Sequence, residues 1–234
     1  MAKSRRHPTE PLPLDIELDP AGKTTAQQTS ADDERAVPCA KGALAGACGG
    51  TVHNVAIGAR TIRDLLRPLS LPTKPVPLLV SVDEGVDGSF TQPLHRLLLS
   101  ADHAERLPPP HRPRSSPLPT TVDDLAAVMK PVALPADRLL GVLVNTCTRD
   151  LAYQLPFGPW NAETARPVLH QVMNALGPDS YWRSNNDFSY AEAWSADGQP
   201  DAYASDPVTG HCFNRALVGS GNGVVVTFLA VADD

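Results

Sequence analysis

Residues 206–234 read DPVTGHCFNRALVGSGNGVVVTFLAVADD, and their reading decides the fold. Two runs, HCFNRALVG and VVVTFLAVA, carry the β-branched and aromatic residues that suit a pleated surface. GSGNG (219–223) joins them, and its Asn-Gly pair supplies the positive φ angles that a tight hairpin needs. The stretch is therefore expected to be a C-terminal β-hairpin with GSGNG as its loop. Alternation along the first strand puts His211 and Phe213 on one face, and Cys212 and Asn214 on the other.

Working back from the hairpin, NAETARPVLHQVMNALGP (161–178) reads as a helix with an Asn cap, a proline restricting its first turns and a Gly-Pro stop. Short β-like pieces follow it: SYWRS, DFSYAEAWS, a turn at Asp197-Gly198, and PDAYAS. Helices followed by a run of strands point to an α+β fold, ending in an antiparallel sheet and its hairpin.

The two halves of the chain differ in character. Phe90 is the sole aromatic residue before Tyr153, and eighteen of the 24 prolines lie in residues 1–150. Aromatic side chains bury large areas, so the dense core is expected in the C-terminal part. Residues 1–36 are polar and proline-punctuated and read as disordered. Residues 37–105 form a small helical or mixed region. Its expected elements are a helix in NVAIGARTIRDLLRPL, a strand in VPLLVSVDEGVDGS and a helix in SFTQPLHRLLLSADHAERL. A Pro-rich linker (106–121) leads to an α+β domain over 122–234, which opens on TTVDDLAAVMK, a helix with a Thr cap and two aspartates in its first turn.

The formal net charge is −6, which argues against a nucleic-acid binder, whose electrostatics are basic. No apolar run reaches the roughly 18 residues of a membrane span, and no apolar stretch follows the basic start as a signal peptide requires. Cytoplasmic synthesis is expected, with non-classical export if the chain is an effector. The four cysteines (Cys39, Cys48, Cys147, Cys212) are scattered and form no CxxC pair, so free thiols are expected.

No cofactor or metal site is expected. His103-Ala104-Glu105 lacks the Pro-Cys-x-x-Cys of a zinc deaminase, and GALAGACGG (42–50) lacks the Lys-Ser/Thr of a phosphate-binding loop. Asp187, Glu192, Asp197 and Asp201 lack the spacing of a calcium loop and read as a solvated face.

Two residues are left with chemical potential. LLGVLVNTCTRDLAYQL parses in two ways. In one, Pro135 starts a long helix reaching Leu155, and Cys147 is a small hydrophobe in its middle. In the other, LLGVLV is extended, Asn145 or Thr146 caps a new helix, and Cys147 sits in its first turn, where the helix dipole favours a thiolate. His211 follows an Asp-Pro-x-Thr-Gly turn and opens a strand, a placement at a sheet rim where thiol hydrolases assemble a thiolate–imidazole pair.

With these residues in view, the C-terminal part resembles the papain-fold domains of bacterial polymorphic toxins, some of which are protein-glutamine deamidases. Asn145-Thr146-Cys147 resembles their nucleophile segment. GHCFN (210–214) resembles their histidine segment, and Asn222-Gly223 followed by VVVTFLAVADD resembles their last strand. The resemblance implies Cys147 as nucleophile, His211 as general base and Asp233 as the acid orienting the imidazole. Ala230 stands where the family's acid follows the strand's apolar pair, and Asp233 comes later. The implied function is a cysteine hydrolase or deamidase acting on a protein amide. The rival is a non-catalytic interaction module of immunity or adaptor type. Its candidate partner anchors are Trp160, Tyr181, Trp182, Tyr190 and Trp194, because aromatic residues dominate interface hot spots. Either way the partner is a protein.

Overall fold

The computed structural model describes residues 50–70, 78–84, 89–100 and 117–233, with side chains from residue 58 onward. The expected disorder of 1–36, most of the Pro-rich linker, Cys39, Cys48, His103 and Glu105 lie outside the described residues.

In chain order the elements are α1 (Gly50–Leu66), a 3-10 turn (Arg67–Ser70), β1 (Leu78–Glu84), α2 (Gln92–Leu99), α3 (Val122–Val128) and β2 (Lys130–Pro131). They continue with α4 (Ala136–Thr148), α5 (Ala162–Leu176), β3 (Tyr181–Ser184), β4 (Asn186–Asp187), a 3-10 turn (Phe188–Tyr190), β5 (Ala204–Ser205), β6 (Phe213–Gly221) and β7 (Val224–Ala232). The fold is α+β. Five strands form an antiparallel sheet in the order β1-β7-β6-β3-β2, and β4 pairs with β5 separately.

The β6–β7 hairpin is the centre of the sheet. Its turn is the two-residue Asn222-Gly223, with φ of 48° and 72°, as a tight right-twisting hairpin demands. The strands run to Gly221, so the loop is shorter than GSGNG: Gly219 and Gly221 are strand residues in close approaches. A Cβ on Gly219 would lie 2.6 Å from the Trp182 ring, and one on Gly221 would lie 2.1 Å from the Leu176 carbonyl oxygen.

The sheet is covered on both faces. Leu217, Val226, Phe228 and Ala230 pack with Ile62 and Leu66 of α1, Leu143 and Cys147 of α4, and Leu169, Val172 and Leu176 of α5. On the other face Ala216, Val218, Leu229 and Val231 pack with Leu94 of α2, Leu125 of α3 and Met129. Burial on both sides explains why β7 reads as an unbroken apolar run rather than an alternating one.

Local signals fix the helix ends. Thr121 caps α3 and exchanges hydrogen bonds with Asp124 in a capping box, and Asn161 does the same for α5 with Thr164. Pro167 lies inside α5, and Gly177 ends it with a φ of 90°.

Three expectations are corrected. The described part of 37–105 is not separate from the C-terminal domain, because β1 is an edge strand of the same sheet, paired with β7 from Leu78↔Ala230 to Glu84↔Val224. DFSYAEAWS is mostly not strand: it supplies only Asp187 to β4 and then forms a 3-10 turn, capped by Asp187, which accepts from the Ser189 N–H. The Cys147 segment follows the long-helix parse from Pro135, with Cys147 a buried core residue, but α4 stops at Thr148, short of Leu155. At the free side of β1, the Arg63 guanidinium donates to the Val82 carbonyl at 3.3 and 3.2 Å and to Glu84 at 2.6 Å.

Candidate functional site

His211 lies two residues before β6, so strand alternation does not set its direction. Its ring is held by the residue after β7. Nδ1 donates to Asp233 Oδ2 at 2.8 Å, and the Cys212 backbone N–H donates to Asp233 Oδ1 at 2.8 Å. Side-chain exposures of 3% for His211 and 6% for Asp233 make this a buried clasp joining the two ends of the hairpin. Burial raises the Asp233 carboxyl pKa. The hydrogen bonds from Cys212 and His211, together with the charge on His211, outweigh burial and hold it below the usual carboxylate value. An ionised carboxylate only accepts, so Nδ1 carries the ring proton in this arrangement.

Around the clasp, Asn214 Oδ1 accepts from the Val208 N–H at 3.0 Å and from Asn185 Nδ2 at 2.9 Å, while its own Nδ2 donates to the His211 carbonyl at 3.3 Å. Asn185 Oδ1 accepts from the Ala216 N–H at 2.7 Å. This asparagine pair ties the turn before β6 to β3, and Cys212 is left exposed.

Cys147 is placed differently from a nucleophile at a helix start. It sits in the last turn of α4, fully buried among Leu143, Val144 and their neighbours. Burial alone drives its pKa, and it pushes the thiol far up. The negative end of a helix dipole also disfavours a thiolate. In this conformation Cys147 is a neutral, apolar filler.

The sequence reading missed Arg215, which carries the most buried charge among the described residues. It is 0% exposed. Its Nη1 donates to Asn145 Oδ1 at 3.0 Å and Thr146 Oγ1 at 3.3 Å, and Nη2 donates to Gln199 Oε1 at 3.3 Å. The guanidinium lies 5.3 Å from the Tyr203 ring centre and 5.8 Å from that of Phe188. Among the described residues no carboxylate pairs with it, and its Nε has no hydrogen-bond partner. Burial pulls its pKa down, partly offset by Tyr203. A signal for it existed: β6 alternation places residue 215 on the face of Phe213 and Leu217, so a charge was aimed at the core.

Also missed was the loop after α4. Asp150 accepts from the backbone N–H groups of Ala152 (3.0 Å), Tyr153 (2.7 Å) and Leu155 (2.6 Å). Gln154 takes a φ of 57°, donates to the Asp150 carbonyl at 2.9 Å and accepts from Asn145 Nδ2 at 2.8 Å. Arg149 reaches the Gln154 carbonyl at 3.3 Å and pairs with Asp197 at 2.8 Å. This frame holds Tyr153 at 64% and Leu155 at 60% exposure. Of the aromatic anchors named from sequence, Trp182 is buried, Trp160 and Trp194 are half-buried against the core, and Tyr181 and Tyr190 are exposed.

Comparison of the chain with family models, curated proteins and solved structures finds no match. Among the described residues, no helix is long and apolar enough to cross a membrane.

Proposed function

We propose that this chain is a non-catalytic protein-interaction module that docks a partner through the loop after α4. One observation carries the reading: Tyr153 and Leu155 stand exposed on a loop whose backbone is fixed by the Asp150 carboxylate. A large apolar pair held outward in one conformation gives its partner contact area at little ordering cost. The matching surface is an apolar pocket with a polar group at its floor to meet the Tyr153 hydroxyl.

The test is photo-crosslinking from p-benzoylphenylalanine placed at position 155 in cells that make the protein. A discrete protein adduct is expected. For the partner so identified, Tyr153→Ala with Leu155→Ala is expected to weaken binding about 100-fold or more, at roughly 2 kcal/mol for each hot-spot residue. Both side chains are exposed, so the variant should keep its unfolding midpoint. Binding within about threefold of the parent would sink the reading.

The hydrolase reading keeps one supporting observation, the 2.8 Å contact that orients the His211 imidazole through Asp233. It needs a thiolate, and burial opposes one at Cys147. In native buffer at pH 8, iodoacetamide is expected to label Cys212 and spare Cys147, with Cys147 reacting only after unfolding. Rapid native labelling of Cys147, slowed by His211→Ala, would restore the enzyme.

A further inference from the structure

A cleft of about 170 Å³ opens between the N-terminal half of α4, α5 and the loop at 194–198. Its walls include Arg138, Arg166, Trp194, Gly198 and one acid, Asp137. Arg138 lies over the Trp194 ring, 5.6 Å from its centre. Neither Arg138 nor Arg166 has an ion pair among the described residues.

The wall itself is tightly seated. A Cβ on Gly198, at φ 84°, would lie 2.1 Å from the Gly141 carbonyl oxygen, so the loop backbone rests directly on α4. The next residue, Gln199, accepts from the buried Arg215. Behind the cleft wall there is thus a full positive charge answered by neutral acceptors and ring faces alone. A charge held in protein interior is poorly screened, and its field reaches a nearby cleft more strongly than that of a solvated residue.

We propose that this cleft binds an oxyanion, a carboxylate or phosphoryl group, held by the Arg138 and Arg166 guanidiniums and favoured by the unneutralised Arg215 behind the loop. Guanidinium forks match the two-oxygen edge that these groups share. The site is separate from the Tyr153–Leu155 loop and does not rest on the docking reading.

The experiment titrates the full chain with inorganic phosphate and, in a second arm, acetate, at constant ionic strength made up with chloride. Trp fluorescence and the unfolding midpoint are followed. A saturable response is expected in at least one arm: response to phosphate alone identifies a phosphoryl source, to acetate alone a carboxylate source, and to both the shared chemistry. Arg138→Ala with Arg166→Ala, both exposed and outside the core, should weaken binding about tenfold or more, the value of one lost charge-assisted contact. Gln199→Glu places a carboxylate against Arg215 and should lower affinity several-fold while leaving the chain folded. Absence of saturation in both arms up to roughly 10 mM, which means binding weaker than about −2.7 kcal/mol, overturns the proposal. So does undiminished binding by the double arginine variant, and unchanged affinity in Gln199→Glu removes Arg215 from it.

Discussion

Arg215→Ala is expected to cost about 3–5 kcal/mol of folding stability, read as a lowered urea midpoint at unchanged slope. The substitution empties a fully buried volume between Phe188, Tyr203 and α4. It also strips the donor from Asn145 Oδ1, Thr146 Oγ1 and Gln199 Oε1. Each buried acceptor left unmet costs about 1–3 kcal/mol. Against this stands the relief of removing a desolvated cation, which for buried charges is substantial. The balance stays unfavourable because alanine fills none of the space and meets none of the acceptors. Arg215→Lys should recover part of the loss, since an ammonium keeps the charge without the planar fork or the stacking. A cost below about 1 kcal/mol for Arg215→Ala would mean that the network does not hold α4, β6 and the 194–200 loop together.

The second large effect is expected at Gly198. Alanine there meets two obstacles: a φ of 84° that L residues avoid, and a Cβ 2.1 Å from the Gly141 oxygen and 2.5 Å from its Cα. The contact is backbone on backbone, so no side chain can swing away. Gly158→Ala is the matched comparison, with a φ of 72° and nothing within 4 Å of the added Cβ. Its cost should be near the left-handed penalty alone, about 1–2 kcal/mol. Gly198→Ala should exceed it by at least about 2 kcal/mol and shift Trp194 emission as the loop lifts. Equal costs for the two variants would show that the loop can rise from α4 without penalty.

The α+β class and its terminal hairpin were legible because their causes are local: Asn222-Gly223 encodes its own turn, and Thr121 and Asn161 encode their caps. The partner of β1 was not legible. Leu78–Glu84 carries the composition of a strand, but pairing with β7 is a property of the whole topology. The segment after β4 misled for a related reason. Phe188, Tyr190 and Tyr203 suit strands by composition, yet Phe188 and Tyr203 are spent on enclosing Arg215. For the candidate site, Gly210–Asn214 marked His211, and helical spacing already allowed Cys147 to be core. The clasp on Asp233 follows from the register that the Asn222-Gly223 turn sets, with Phe213 opposite Ala232, and the family resemblance had already implied Asp233 as the partner of the imidazole. The Asp150 frame escaped notice because it joins a carboxylate to backbone groups, and backbone groups leave no trace in the letters.

The contacts of Arg63 have a consequence for how other molecules can approach. A sheet offers its two border strands as templates for further strands, a route to both peptide recognition and aggregation. Here Arg63 occupies the Val82 carbonyl on one border, while on the other β2 contains Pro131, which has no N–H to give. Both borders are thus guarded against strand addition. A strand added at either border would have to displace Arg63 from the Val82 carbonyl or forgo a hydrogen bond at Pro131, so the same two residues discourage self-assembly into extended sheets.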